Sequence, residues 1–266
     1  MRVFGFMLLG ASALLAIDQP QLSQQQIDDI IQKFAAKETE FARARENYTY
    51  RQTARIQTLD DSGNPTGKWE TVSDIIFSTE GRRTEHVVYA PVNTLTDITL
   101  TPEDMQDLIS VQPFVLTTSE LPNYLIRYLG KQQVDEIGCY VFAVKPKKME
   151  AGKRYFQGEI MVDDRDLQIV KSYGRGVGVI KHSEDNQFPK FETYREQIDG
   201  KYWFPTYTIA NDTLHFKEHD QRIKQTVKYE QYKQFKSDVK ITFGDEADSS
   251  DQKTDQKKDD KQPAKK

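Results

Sequence analysis

The sequence predicts a mainly β protein of the α+β kind: a half-open antiparallel β-barrel of about ten or eleven strands with one N-terminal amphipathic helix and a short lid helix. Three observations carry this. One long segment has apolar residues at helical spacing, and it ends near Tyr48, where the period drops to two. From there, short runs rich in β-branched and aromatic residues follow one another at hairpin spacing. No stretch has the strand–helix–strand rhythm of a parallel nucleotide-binding sheet.

At the N-terminus, Met1-Arg2 is followed by an uncharged apolar run from Val3 to Ala16, closed by Asp18-Gln19-Pro20. This predicts a cleaved signal peptide over residues 1–16, because a membrane-spanning helix needs roughly 20 apolar residues. Residues 245–266 alternate acids and lysines around Gln, Ser and one Pro, a composition that cannot bury apolar area and predicts a disordered charged tail. Residues 17–244 remain as one large β domain. The formal net charge of the 266 residues is −4 with lysines and arginines dispersed among acids, so no basic stripe for nucleic acid is expected.

The helix is predicted from Ser23 to Tyr48. Ser23 and Gln26 have capping-box spacing, and Ile27, Ile30, Ile31, Phe34 and Phe41 form one apolar stripe. Tyr48 to Leu59, a turn cluster from Asp60 to Pro65, and Lys68 to Thr79 make a long first hairpin, with Arg82 to Tyr89 as the next strand. Thr101-Pro102-Glu103-Asp104 opens a short helix that presents Met105, Leu108 and Ile109 on one face. The apolar stretch Gln112 to Pro122, with Phe114, is either a mobile lid over a cavity or a plug at the end of a sheet. Strands are then expected at 124–134, 138–145, 154–163, 168–173, 190–198, 202–211, 213–218 and 222–235, with Asp199-Gly200 as the strongest hairpin turn.

Little in the chain asks for catalysis or a cofactor. The histidines are His86, His182, His215 and His219, and the last two would lie roughly 13 Å apart on a strand, too far for one metal. Asp163, Asp164 and Asp166 lack the alternation, Gly and distal Glu of a calcium loop and read as a turn. Gly174, Gly176 and Gly178 do not open a helix, so they bend the sheet or let a loop approach its backbone rather than hold phosphate. Cys139 is the single cysteine and reads as a small buried hydrophobe. A hydrolase built on Asp163, Glu192 or His215 is the weakest reading, and no catalytic, metal or cofactor site is expected.

The apolar faces are more informative. Tyr140, Phe142 and Val144 fall on one face of a strand, Phe156, Ile160 and Val162 on one face of the next, and Trp203 and Tyr207 on one face of a later strand. A single helix of about 24 residues is roughly 36 Å long. Such a helix either leaves an aromatic hollow in a ten-stranded concave sheet, or the core is fully packed.

The capped helix, the first hairpin, and the runs Tyr140 to Pro146, Gly158 to Asp163, Leu167 to Lys171 and Asp199-Gly200-Lys201-Tyr202-Trp203-Phe204-Pro205 resemble the LolA/LolB-like family of periplasmic lipoprotein carriers. That resemblance implies a half-open barrel whose concave face takes acyl chains of lipids or lipoproteins beneath helices, and a periplasmic, monomeric, non-enzymatic protein of lipoprotein sorting. It also implies a hollow lined by Phe77, Tyr140, Phe142, Phe156, Ile160, Val162, Ile169, Trp203 and Tyr207, under a lid of Met105, Leu108, Ile109 and Phe114. The alternative is a packed barrel that presents Arg82, Arg83 and the Pro65 hairpin to an envelope protein partner.

Overall fold

Ser23 starts helix α1 (Gln24–Arg45) through both halves of the capping box: the Gln26 N–H donates to Ser23 Oγ at 3.3 Å and the Ser23 N–H to Gln26 Oε1 at 2.8 Å. The structure is a computed structural model that describes residues 22–78, 81–180 and 188–235. The expected signal peptide 1–16, the tail 245–266 and His182 lie outside those residues. The helix ends at Arg45 rather than at Tyr48, because Tyr48 already pairs with Gln234 and sets its ring 4.7 Å from that of Phe204.

Three strands follow: β1 (Tyr48–Leu59), β2 (Pro65–Phe77) and β3 (Arg83–Tyr89). An insertion contains α2 (Pro102–Gln106), a π-helical turn over Asp107–Val111 and a 3₁₀ turn over Leu121–Asn123. Seven strands complete the domain: β4 (Tyr124–Val134), β5 (Ile137–Pro146), β6 (Arg154–Asp163), β7 (Ile169–Gly178), β8 (Phe191–Ile198), β9 (Tyr202–His215) and β10 (Asp220–Gln234). They form one antiparallel sheet in the order β3-β2-β1-β10-β9-β8-β7-β6-β5-β4. The sheet is not closed: β3 and β4 are its free edges, which makes it the half-open barrel that the sequence predicts. Ten strands appear because the runs expected at 202–211 and 213–218 are one strand, continuous through Asn211 and Asp212, which pair with Lys224 and Ile223. Asp199 (φ 56°) and Gly200 (φ 67°) both have positive φ, the requirement of a type I′ turn.

Helix α1 lies on the concave face over β4 to β8. Phe34 and Ala35 are fully buried there against Phe142, Ile160, Val162 and Ile169. The second half of the insertion adds Val111, Phe114 and Leu116 to the same core, and the Phe114 ring stacks on Phe156 at 4.5 Å. Each such side chain contributes about 1.5–3 kcal/mol by leaving water. A second apolar cluster, Cys139, Val141, Met161 and Val170 with Trp203 beside it, covers the outer face. Burial pushes the Cys139 thiol up to about 11, which leaves it an unreactive hydrophobe at neutral pH.

Two buried ion pairs fasten the cover to the sheet. Glu38, on the apolar stripe of α1, accepts from Arg195 Nη1 at 3.1 Å and from the Ile169 N–H at 3.1 Å. Arg195 also donates to the carbonyl oxygen of Phe114. In the insertion, Asp107 receives both Nε (2.8 Å) and Nη2 (2.6 Å) of Arg154 on β6. Gly176 on β7 makes room for this second pair: a Cβ there would stand 1.9 Å from Asp107 Oδ2. Of the two roles read for these glycines, close approach of a loop is the one seen at Gly176.

Gly176→Ala should therefore destabilise the fold by about 2–3 kcal/mol, since the carboxylate it strikes is held by a buried guanidinium and cannot step aside. Urea denaturation with an unchanged midpoint would contradict this. Arg195→Met should cost about 3–5 kcal/mol, because it strands the Glu38 charge, and adding Glu38→Leu should recover most of the loss. A double variant no more stable than Arg195→Met alone would show that the pair does not act as a unit.

Candidate functional site: an aromatic cleft with an arginine wall

The residues expected to line a hollow are divided among three places. Phe142, Phe156, Ile160, Val162 and Ile169 are wholly buried beneath α1 and the insertion, with Tyr140 half-buried at the edge of that core. Trp203 and Tyr207 are on the outer face, and this corrects the face assigned to them. Trp203 packs beside the Cys139 cluster, and Tyr207 pairs with Tyr194, which pairs with Lys171 opposite Met161. The physical reason is that the outer face is apolar too, with Cys139, Val141, Met161 and Val170, while the inward Thr208 is polar yet wholly buried and bonded to Thr193, so apolar–polar alternation points the wrong way. A bulge between Tyr194–Tyr207 and Arg195–Pro205 then interrupts the period. Phe77 and Ile109 border open space.

That space is a cleft of about 490 Å³ between the end of α1, the segment 109–120, strands β1, β2, β9 and β10, and the start of β3. Such a volume falls within the usual range of small-ligand sites. Its wall is a chain of rings: Phe41 meets Phe204 edge-on at 5.1 Å, Phe204 and Tyr232 are 4.8 Å apart, Tyr232 and Tyr50 5.2 Å, and Tyr50 and Tyr229 6.2 Å. Phe41, Phe204 and Tyr229 are themselves packed and buried, so Tyr50 and Tyr232 present most of the open ring surface. Phe77, Ile109 and Val115 add apolar surface. Met105 and Leu108 sit behind the wall against Ala54, Val227 and Tyr229, and Phe114 is in the packed core. In this structure the insertion is a plug on the sheet.

A bulge builds the wall. Tyr229 and Tyr232 are three residues apart on β10 and in a regular strand would face opposite sides. Gln231 takes φ 57°, and the register with β1 slips between Thr49 and Arg51, so the strand gains a residue and Tyr232 turns back into the cleft. The Tyr232 hydroxyl donates to the Pro205 carbonyl at 2.6 Å, and the Tyr229 hydroxyl lies 3.3 Å from Thr208 Oγ1. Burial raises both phenols well above their ordinary pKa, so they remain neutral.

Four charged residues border the rings: Arg45 and Arg83, with Glu46 and Glu120 exposed at the rim. Arg83 donates to Glu85 Oε2 (3.1 Å) and Gln52 Oε1 (3.3 Å). Sequence reasoning missed Glu38, Arg45 and Arg195. Glu38 could have been found, because it stands four residues after Phe34 and three before Phe41, inside the apolar stripe. Such a carboxylate demands a buried cation.

The residues weighed for chemistry are engaged locally. Asp163 caps its own turn by accepting the Arg165 N–H at 2.7 Å, Glu192 pairs with Lys171 at 2.9 Å and accepts from Tyr194, and His215 Nδ1 lies 2.8 Å from Asp220. Among the described residues, no three His, Cys, Asp or Glu side chains are grouped to hold a metal.

Fold and cleft together define a half-open antiparallel sheet with a roofed aromatic groove. No family model matches the sequence, and no curated protein does. Among solved structures the chain is similar to a DUF1329 family protein from Desulfovibrio piger, at 12% identity and TM-score 0.39, over 79% of this chain and 92% of that one. It is similar to a LolA superfamily protein from Nitrosomonas europaea, at 12% identity and TM-score 0.36, over 79% and 93%. It is also similar to an outer membrane lipoprotein-sorting protein domain from Vibrio parahaemolyticus, at 10% identity and TM-score 0.35, over 77% and 93%. These are distant likenesses, and the function is read from this chain's own residues.

The plug that borders the cleft carries a pH dependence. Burial raises the Asp107 carboxyl to about 6, against the pull of Arg154. The folded state thus holds this proton more tightly than the unfolded chain, whose aspartates titrate near 4. The associated stability is present below pH 4 and is lost as the pH rises through 6. Denaturation midpoints at pH 4 and 7.5 should show the wild type losing on the order of 2–3 kcal/mol relative to Asp107→Asn. Parallel pH curves for the two proteins would contradict it.

Proposed function

We propose that this chain is an exported, soluble periplasmic carrier that holds an acyl chain of a lipid or lipoprotein in the aromatic cleft. The observation that supports this reading is the continuous ring wall Phe41–Phe204–Tyr232–Tyr50–Tyr229 beside about 490 Å³ of space. Each buried CH₂ contributes about 0.8 kcal/mol. Affinity should therefore rise roughly fourfold with each methylene the cleft holds, which lets chain length set how readily a carrier releases its cargo. The rings and aliphatic side chains of the cleft suit the holding of a hydrocarbon. Transfer then follows from relative affinity, with the chain passing to a partner that binds it more tightly.

A specific observation favours a second reading. The free edge strand β3 exposes Val87, Val88 and Tyr89, and Val92 beyond it is 84% exposed. An apolar, unpaired edge suits a protein partner that adds a strand. Native mass spectrometry with lipid extraction on protein purified from the periplasm separates the two. A co-purifying acyl lipid supports the carrier, whereas protein that is empty and takes up no fluorescent fatty acid leaves only the edge-strand reading. Ile109→Asp, at a half-exposed cleft position, should weaken fluorescent fatty acid binding at least tenfold with an unchanged melting temperature. Undiminished binding would remove the cleft as the site.

A further inference from the structure

We propose that the cleft is built for an anionic amphiphile, with Arg45 and Arg83 receiving the oxyanion of its head group while the chain lies along the rings. The inference rests on the carrier reading and specifies the class of ligand.

Its starting point is a charge count. Glu38, Arg195 and Arg45 lie close enough to act on one another electrostatically at the end of α1. The single carboxylate is committed to Arg195, from which it accepts two hydrogen bonds at 3.1 and 3.2 Å. Arg45 is left over, and the trio carries one uncompensated positive charge. Among the described residues Arg45 has no hydrogen bond and no ion pair. Its Nε is buried without a partner, and its guanidinium carbon lies 6.0 Å from the centre of the Phe41 ring. Glu46 acts on it only from a distance and is itself exposed at the rim. Burial lowers the pKa of Arg45, the sign of a cation removed from water without a full counter-charge. Arg45 as a whole is half-buried beside the cleft, but its Nε is out of water, and a cation so placed gains when an anion is supplied.

Arg83 lines the same cleft from β3, and its Nε is likewise buried without a partner although its terminal nitrogens reach Glu85 and Gln52. The row of tyrosines connects the two cations. Tyr50 and Tyr232 are near enough to feel Arg45, and Tyr229 feels Arg83. A guanidinium with free N–H groups beside an apolar wall recognises a carboxylate or phosphate attached to a hydrocarbon. A neutral glyceride or a quaternary amine would leave Arg45 unpartnered.

The test compares three fluorescent probes with the same long chain: the free carboxylic acid, its neutral methyl ester and the corresponding monoacyl phosphate. The full chain should bind the acid or the phosphate at least tenfold more tightly than the ester, and whichever anion binds better identifies the head group. Arg45→Gln and Arg83→Gln should each reduce that preference about tenfold while leaving ester affinity unchanged. Arg43→Gln, which removes the same charge from the exposed side of the last helical turn, should change nothing. Equal affinity for all three probes, or an equal loss in Arg43→Gln, would overturn the anion site while leaving the carrier reading in place. Failure of every probe to bind would remove both. Because Gln at position 45 could disturb the helix end, Arg45→Lys serves as a second variant: it keeps the charge and should retain most of the preference.

Discussion

Glu38 and Arg195 form the contact on which the rest of the concave side depends. The carboxylate is wholly buried, accepts from Arg195 and from the Ile169 amide, and so joins α1 to β7 and β8. The guanidinium continues to the carbonyls of Phe114 and, at 3.5 Å, Trp203, which adds the plug and β9. Five separate pieces of chain thus meet at one charge pair. Such a pair adds little net stability over apolar residues of the same shape, but it is intolerant of slippage: moving α1 by one turn would leave both charges buried and alone. Its effect is to hold the helix in one position on a sheet whose aliphatic surface would otherwise accept several.

Asp107 and Arg154 do the same for the insertion, and here the constraint propagates into the sheet. The carboxylate sits so low over β7 that only glycine fits at 176, and the neighbouring Gly174 and Gly158 are likewise too close to facing backbone for a Cβ. The close approach at β6 and β7 lets the insertion settle onto the sheet, with Phe114 stacked on Phe156. The consequence is a filled half over β4 to β8 and an open half over β10, β1 and β2, which is where the cleft runs.

How much of this the sequence discloses depends on whether a feature is periodic. The capping box, the apolar stripe of α1 and the Asp199-Gly200 turn are local, and they are seen where the sequence places them. The missing βαβ rhythm and the hairpin spacing suffice for an open antiparallel sheet. The site is less legible because non-periodic devices make it. Alternation alone cannot choose a face for Trp203 and Tyr207, since Cys139, Val141 and Met161 clothe the outer side in apolar groups too. Nor does the sequence announce that Gln231 adopts a left-handed conformation, a choice enforced by pairing with β1. The aromatic residues expected in a hollow are in the core instead, because α1 and Phe114 together fill the volume that one helix alone was expected to leave open.

The two bulges, on β9 and β10, stand on adjacent strands and serve the cleft together. The first brings Phe204 and Pro205 to its floor, and the second returns Tyr232 beside Tyr229, so that the Tyr232 hydroxyl meets the Pro205 carbonyl at 2.6 Å. That bond satisfies a phenol and a bulged carbonyl that would otherwise face an apolar wall, and it ties the two irregularities to each other. A regular sheet would have divided these side chains between its faces and left no continuous aromatic surface. The clamp at Glu38 works on the same wall from above, because it commits that buried carboxylate to Arg195 and leaves Arg45 beside Phe41 and Tyr50. The interactions that close one half of the barrel thereby give the open half its charge.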